Sequence, residues 1–184
     1  MDFYKDDAMD IKEVELGLWG RYQIDNASLA LRATGLLIKL EEQRVRRALK
    51  NTRWEGRMEI VRKDPLLILD GAHNPDGVAR VVKEVKSHLG GLTPVFTALR
   101  EKEWDLSLTY LRSLSDKLYL VPIKHHRGED IQKVYQKAKE LGFKEIHLLE
   151  EARQALDLQE DIIVLGSLYL IGEIKEILEG VHEG

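Results

Sequence analysis

The chain has 184 residues, 43% of them hydrophobic and 33% charged, with a formal net charge of −4; this is the composition of a soluble globular protein of one ordinary domain plus some extra, or of two small ones. Acids and bases are interspersed, so no single-sign surface points to nucleic acid or an anionic membrane, and the absence of cysteine excludes disulfides, thiolate metal sites and a cysteine nucleophile. The longest apolar runs, LLIL and DIIVLG, are far too short to cross a bilayer, and the acidic opening MDFYKDDAMD lacks the layout of a signal peptide. The expected compartment is the cytoplasm.

Taken in chain order, the first fifty or so residues hold two strand-like pieces, DFYKDD and DIKEVELGLW. A helix is expected from about Gln23 to Leu40, and a shorter one over EQRVRRALK. That is too little apolar surface for an independent core. Residues 1–52 therefore read as the remnant of a domain whose main body lies elsewhere, and residues 53–184 as a second domain. Deprived of its partner surface, the 1–50 segment is expected to expose an apolar face suited to dimerisation.

From about residue 55 strand-like and helix-like stretches alternate. RMEIVR reads as a short alternating strand and LLIL as a buried one. VARVVKEVKSHL places Val78, Val81, Val82, Val85 and Leu89 on one helical stripe. PVFTAL, DLSLTYLRSL, KLYLVPI, IQKVYQKAKEL, EIHLL, ARQALDL, IIVLG and LIGEIKEILEG continue the alternation. Short apolar strands, each followed by a helix of about three turns, are what a parallel sheet covered on both faces requires. The expected architecture is a doubly wound α/β domain, Rossmann-like and mostly parallel, with RMEIVR as an odd strand at one edge.

The chemistry concentrates where LLIL ends, in DGAHNPDG at 70–77. In an open parallel sheet the carboxyl ends of the strands line the ligand crevice. Gly71 and Ala72 keep the turn narrow, and Asn74-Pro75 reads as an N-cap followed by the first helical position. Asp70 can accept from ribose hydroxyls, His73 can donate to a phosphoryl oxygen, and the new helix offers free N–H groups to an anion. Asp76 offsets part of that helix dipole, so Arg57 just upstream is the candidate for phosphate charge. Asp70 and Asn74 equally suit plain turn and cap roles. His125-His126 beside Arg127 lacks a third ligand at a usual spacing and reads as a solvated loop rather than a metal site. Trp19, Trp54 and Trp104 read as packing residues.

Five segments in order carry a family resemblance: G-R-Y-Q-x-x-N-A at 20–27, W-E-G-R-M-E at 54–59, D-G-A-H-N-P at 70–75, V-F-T-A-L-R-E-K-E-W at 95–104 and I-V-L-G-S at 163–167. Together they closely resemble folylpolyglutamate synthase/dihydrofolate synthase of the Mur ligase superfamily. The resemblance implies an ATP-dependent amide ligase that activates a folate γ-carboxylate as an acyl phosphate and joins it to glutamate. It implies the Mur ligase C-terminal domain preceded by part of the central ATPase domain. Residue by residue, Asn26 is similar to the asparagine on the adenine side of ATP, Arg57 to the phosphate-binding arginine, and Asp70 to the aspartate on the ribose. His73 is similar to the catalytic histidine near the γ-phosphate, and Ser167 to a serine near the incoming glutamate. Each also has a plainer reading: a helix cap for Asn26 and Ser167, and an ion pair with Glu55 or Glu59 for Arg57.

Three departures stand out. Trp54-Glu55-Gly56-Arg57 replaces the family's W-P-G-R, and Glu101 and Glu103 flank Lys102 where the family has a K-D-K-D-like stretch. No G-x-x-x-x-G-K-[ST] phosphate loop occurs. The resemblance implies ATP, folate and glutamate as ligands, with Mg²⁺ held by an N-terminal P-loop domain outside this sequence.

Overall fold

The computed structural model describes residues 4–6, 9–11 and 13–180. Inter-residue contacts divide the chain into two units, Met1–Arg57 and Met58–Gly184.

In the first unit, β1 (Tyr4–Asp6) and β2 (Met9–Ile11) form a two-stranded antiparallel sheet, followed by α1 (Tyr22–Gly35) and α2 (Glu42–Asn51). The outer residues of the first expected strand lie outside the described residues, and the second strand is much shorter than DIKEVELGLW suggests. α1 stops at Gly35 rather than Leu40, which leaves Leu36, Leu37 and Ile38 exposed beyond its end. Glycine is a poor helix residue, and the turn that follows buries little apolar surface that would extend the helix. The buried cluster is small: Ile11, Leu31 and Val45, with Val14, Leu40 and Leu49 against it.

The second unit holds a six-stranded sheet in the order β3-β4-β8-β5-β6-β7. Its strands are β3 (Glu59–Lys63), β4 (Leu66–Leu69), β5 (Thr93–Phe96), β6 (Lys117–Leu120), β7 (Glu145–Leu148) and β8 (Ile162–Leu165). The helices between and after them are α3 (Pro75–His88), α4 (Trp104–Leu114), α5 (Ile131–Glu140), α6 (Arg153–Leu156) and α7 (Leu168–Leu178). This is the expected mostly parallel Rossmann-like sheet. β3 is the odd strand, antiparallel to β4 at the edge, and the two are joined through a cis Asp64–Pro65 bond.

All four residues of β8 are buried, as a central strand covered on both faces requires. Alternation sends Leu67, Leu69, Val95, Tyr119, Ile162 and Val164 into one cluster with Leu170, Ile171 and Ile174 of α7. The intervening residues Ile68, Phe96, Leu118, Leu120 and Ile163 are also buried. α3, α4 and α5 connect strands running one way across the sheet, and α6 precedes the return to β8. With right-handed crossovers, that reversal puts the two sets of helices on opposite faces.

Two polar devices secure the layers. Arg62 on β3 donates Nε–H to the Pro65 carbonyl at 2.9 Å and its two terminal nitrogens to those of Leu156 and Leu158 at 2.8 and 3.1 Å. Glu160, just before β8, accepts from Lys117 and Tyr119 at 2.6 Å and from Thr93 at 2.8 Å. The partial burial of Glu160 alone would raise its carboxyl, but these three donors outweigh burial and hold it below the usual glutamate range. Among the described residues no helix is long and apolar enough to cross a membrane.

Candidate functional site

β8 is the last strand in the chain yet pairs between β4 and β5, on Leu67–Leu69 at one side and Thr93–Phe96 at the other. The connections on its two sides run in opposite directions. This makes the carboxyl ends of β4, β8 and β5 the switch point where an open α/β sheet takes its ligand.

The tip of β4 is wired by hydrogen bonds. The Asp70 N–H prolongs the ladder to the Val164 carbonyl at 2.9 Å. The residue as a whole is 1% exposed. Oδ1 accepts from the Ala72 N–H at 2.8 Å and Oδ2 from the Met58 N–H at 2.9 Å. Met58 is itself buried and left-handed, with φ 46°, a conformation an L side chain adopts only when its surroundings hold it. The Ala72 carbonyl accepts from the Gly166 N–H at 2.8 Å, which ties the tips of β4 and β8 together.

His73 is half-buried, with Nδ1 2.8 Å from the Gly71 carbonyl. A carbonyl only accepts, so Nδ1 carries the hydrogen of this bond. In the neutral ring Nε2 is then a bare acceptor; donation to a phosphoryl oxygen requires the imidazolium. Asn74 caps α3 through Oδ1, which accepts from the Gly77 N–H at 2.8 Å, with Pro75 at the first helical position. Ser167 is fully buried and caps α7, its Oγ accepting from the Tyr169 N–H at 3.0 Å.

The remaining two expected site residues belong to the first unit. Asn26 is exposed, inside α1 rather than at its cap, and donates to the Gln23 side chain at 2.9 Å. Arg57 is exposed, immediately before the left-handed Met58. Thus the second unit assembles Asp70, His73 and Ser167 on adjoining strand tips, and Asn26 and Arg57 stand outside it.

The second unit also draws His125, His126 and Arg127, read from the sequence as a solvated loop, into one cluster in which His125 and Arg127 are half-buried. The Leu99–Gly128 bridge joins the loops after β5 and β6. His125 stacks on Tyr169 of α7 at 3.9 Å and lies 4.2 Å from the His126 ring. Arg127 pairs with Glu101 at 2.8 Å. Partial burial, and then the adjacent charges of His126 and Arg127, lower the basicity of His125. Adjacent strands β5 and β6 put their following loops side by side, so the strand order was the signal for this cluster. Among the described residues no group of three or more His, Asp or Glu could hold a metal ion.

A family model described as Mur ligase, glutamate ligase domain, matches residues 56–168. The folylpolyglutamate synthase of Lacticaseibacillus casei is 27% identical over 184 residues, covering 96% of this chain and 43% of that protein. The dihydrofolate synthase/folylpolyglutamate synthase of Bacillus subtilis (strain 168) is 25% identical, covering 96% and 44%. The solved folylpolyglutamate synthase of Thermotoga maritima superposes with a TM-score of 0.81 at 27% identity, over 96% of this chain and 43% of that one. A Mycobacterium tuberculosis folylpolyglutamate synthase complexed with ADP shares the fold, with a TM-score of 0.79 at 24% identity over 88% and 41%. The chain spans under half the length of these relatives. With the matched span reaching from the turn before Met58 to the cap of α7, the chain belongs to the Mur ligase family, through its glutamate ligase domain.

Proposed function

We propose that the chain is the glutamate-ligase part of an ATP-dependent enzyme that adds glutamate to folate, either as folylpolyglutamate synthase or as dihydrofolate synthase. The observation that carries this reading is the wired DGAHNP loop at the tip of β4, beside the central strand of a Mur ligase domain.

In this reading a folate carboxylate attacks the γ-phosphoryl group of ATP, ADP leaves, and an acyl phosphate forms. The glutamate amine then attacks the acyl carbon, phosphate leaves, and an amide results. Arg57 meets phosphate charge through its planar fork. His73 is the catalytic group at the transfer, Asp70 belongs to the nucleotide side of the loop, and Ser167 borders the incoming glutamate. Asn26 takes the adenine side.

The sequence contains no G-x-x-x-x-G-K-[ST] loop, and among the described residues no group of three or more His, Asp or Glu could hold a metal by itself. The cradle for the β- and γ-phosphates and the Mg²⁺ ligands are therefore assigned to a P-loop domain outside this sequence, with residues 1–52 completing that domain. The exposed Leu29, Leu36, Leu37 and Ile38 of the first unit support a surface covered by another polypeptide. The working compartment in this reading is the cytoplasm, where folate and ATP are at hand.

The isolated chain is expected to show no glutamate addition with MgATP and a folate, and to gain it when a separately expressed P-loop half is supplied. Glutamate addition by this chain alone would refute the division of labour. A second reading, in which the exposed leucines pair two copies of the chain, predicts that size-exclusion elution shifts with concentration; a constant monomeric volume rejects it.

A further inference from the structure

We propose that Asp70 is a positioning residue that holds His73 in its Nδ1–H tautomer, so that the ring offers Nε2 as a proton acceptor to the incoming amine. The inference rests on the ligase reading above and gives two of its residues different tasks.

The chain of contacts is short. Asp70 is 1% exposed, and each carboxylate oxygen accepts a backbone N–H: Ala72 at 2.8 Å and Met58 at 2.9 Å. The Ala72 bond fixes the Gly71–Ala72 turn from one side, and the Gly166 N–H on the Ala72 carbonyl fixes it from the other. A turn held at both ends aims the Gly71 carbonyl, and that carbonyl takes the Nδ1 hydrogen of His73 at 2.8 Å. The identity of the group bonded to one ring nitrogen decides what the other nitrogen can do. Here the partner is a pure acceptor, so the neutral ring leaves Nε2 with its lone pair.

A carboxylate buried to this degree and holding two backbone donors is built to organise backbone. To meet a ribose hydroxyl it would have to come out of a site in which Met58 is left-handed and buried. The bare Nε2 matches the proton that the ligation must remove. An α-ammonium group is not a nucleophile until it loses a proton. Nε2 takes that proton, the free amine forms the C–N bond, and the C–O bond of the acyl phosphate breaks with its electron pair leaving on phosphate, which carries away the second N–H proton as the amide forms. The imidazolium then returns its proton to water.

The test begins with this chain alone, by two-bond ¹H–¹⁵N correlation of the His73 ring. The expected pattern is a protonated Nδ1 and a bare Nε2, with slowed exchange of the Ala72 amide. The opposite tautomer, or an even mixture, overturns the proposal. In Asp70→Asn one side-chain oxygen becomes an NH₂ that faces a backbone N–H, and the single tautomer is expected to give way to a mixture. An unchanged His73 ring in a folded Asp70→Asn overturns the positioning role; if that variant does not fold, the ring pattern and Ala72 exchange of the unaltered chain decide.

With the P-loop half supplied, His73→Ala is expected to lose about a hundredfold in kcat, the usual worth of a positioned proton acceptor. Asp70→Asn should lose part of that with the KM for ATP unchanged. A raised KM for ATP at unchanged kcat would mean that Asp70 binds the nucleotide, and would overturn the inference. Absence of glutamate addition by the unaltered pair refutes the ligase reading and with it the amine as the proton source, while the ring spectra still decide the tautomer.

Discussion

Gly166 is where the candidate site and the core meet, and Gly166→Ala tests the geometry of both. Its φ is 109°, and a β-carbon built there would lie 2.0 Å from the Thr97 carbonyl oxygen and 2.8 Å from two carbons of the Phe96 ring. A comfortable C···O separation is roughly 3.3 Å, so the backbone at the tips of β8 and β5 would have to part by more than a side-chain adjustment allows. Alanine at positive φ costs about 1–2 kcal/mol, and overpacking a close-packed contact adds about 1–3 kcal/mol. The sum, about 2–5 kcal/mol, is a large share of the ~5–15 kcal/mol that holds a typical domain folded. Native-state hydrogen exchange of the β8 amides reads this directly as a loss of opening free energy in the second unit. Because the Gly166 N–H bonds the Ala72 carbonyl, the His73 ring resonances should move in the same variant. A loss under about 1 kcal/mol, with His73 unmoved, would show that these strand tips are not packed to contact.

Two further substitutions probe the polar devices. Arg62→Ala orphans three partly buried carbonyls at once and should cost about 2–3 kcal/mol in urea titration, with Arg62→Lys recovering less than half because an ammonium cannot reproduce the fork. Glu160 has a carboxyl held below its ordinary range in the folded state, as the three donors on it outweigh the effect of burial. Its contribution is therefore complete above the unfolded glutamate range and is lost as pH falls through the folded value. Glu160→Gln should flatten the acid side of the stability curve measured between about pH 6 and pH 3; a curve that keeps the same slope would reject the network as its source.

The features legible in the residues alone were local ones. Apolar stripes and short apolar runs marked every helix and strand of the second unit within a few residues, because period and burial are written in neighbouring positions. Asn74-Pro75 announced the start of α3 because capping is also a matter between neighbours. DGAHNP could be placed at a strand tip for the same reason.

Which tips meet, and which way their side chains face, emerges only once the whole sheet is assembled. LLIL, PVF and IIVL look alike as buried strands, and nothing in them says that the last strand enters between the first two parallel ones. That insertion brings Gly166 and Ser167 to Ala72 across about ninety residues, and places Tyr169 on His125. It also turns the Asp70 carboxylate inward onto Met58 and Ala72, where the residue type alone suggested an outward ligand. Strand order comes from competition among whole-sheet packings and the handedness of crossovers, and side-chain direction at a strand tip follows from that order. Neither is stored in any short window of sequence.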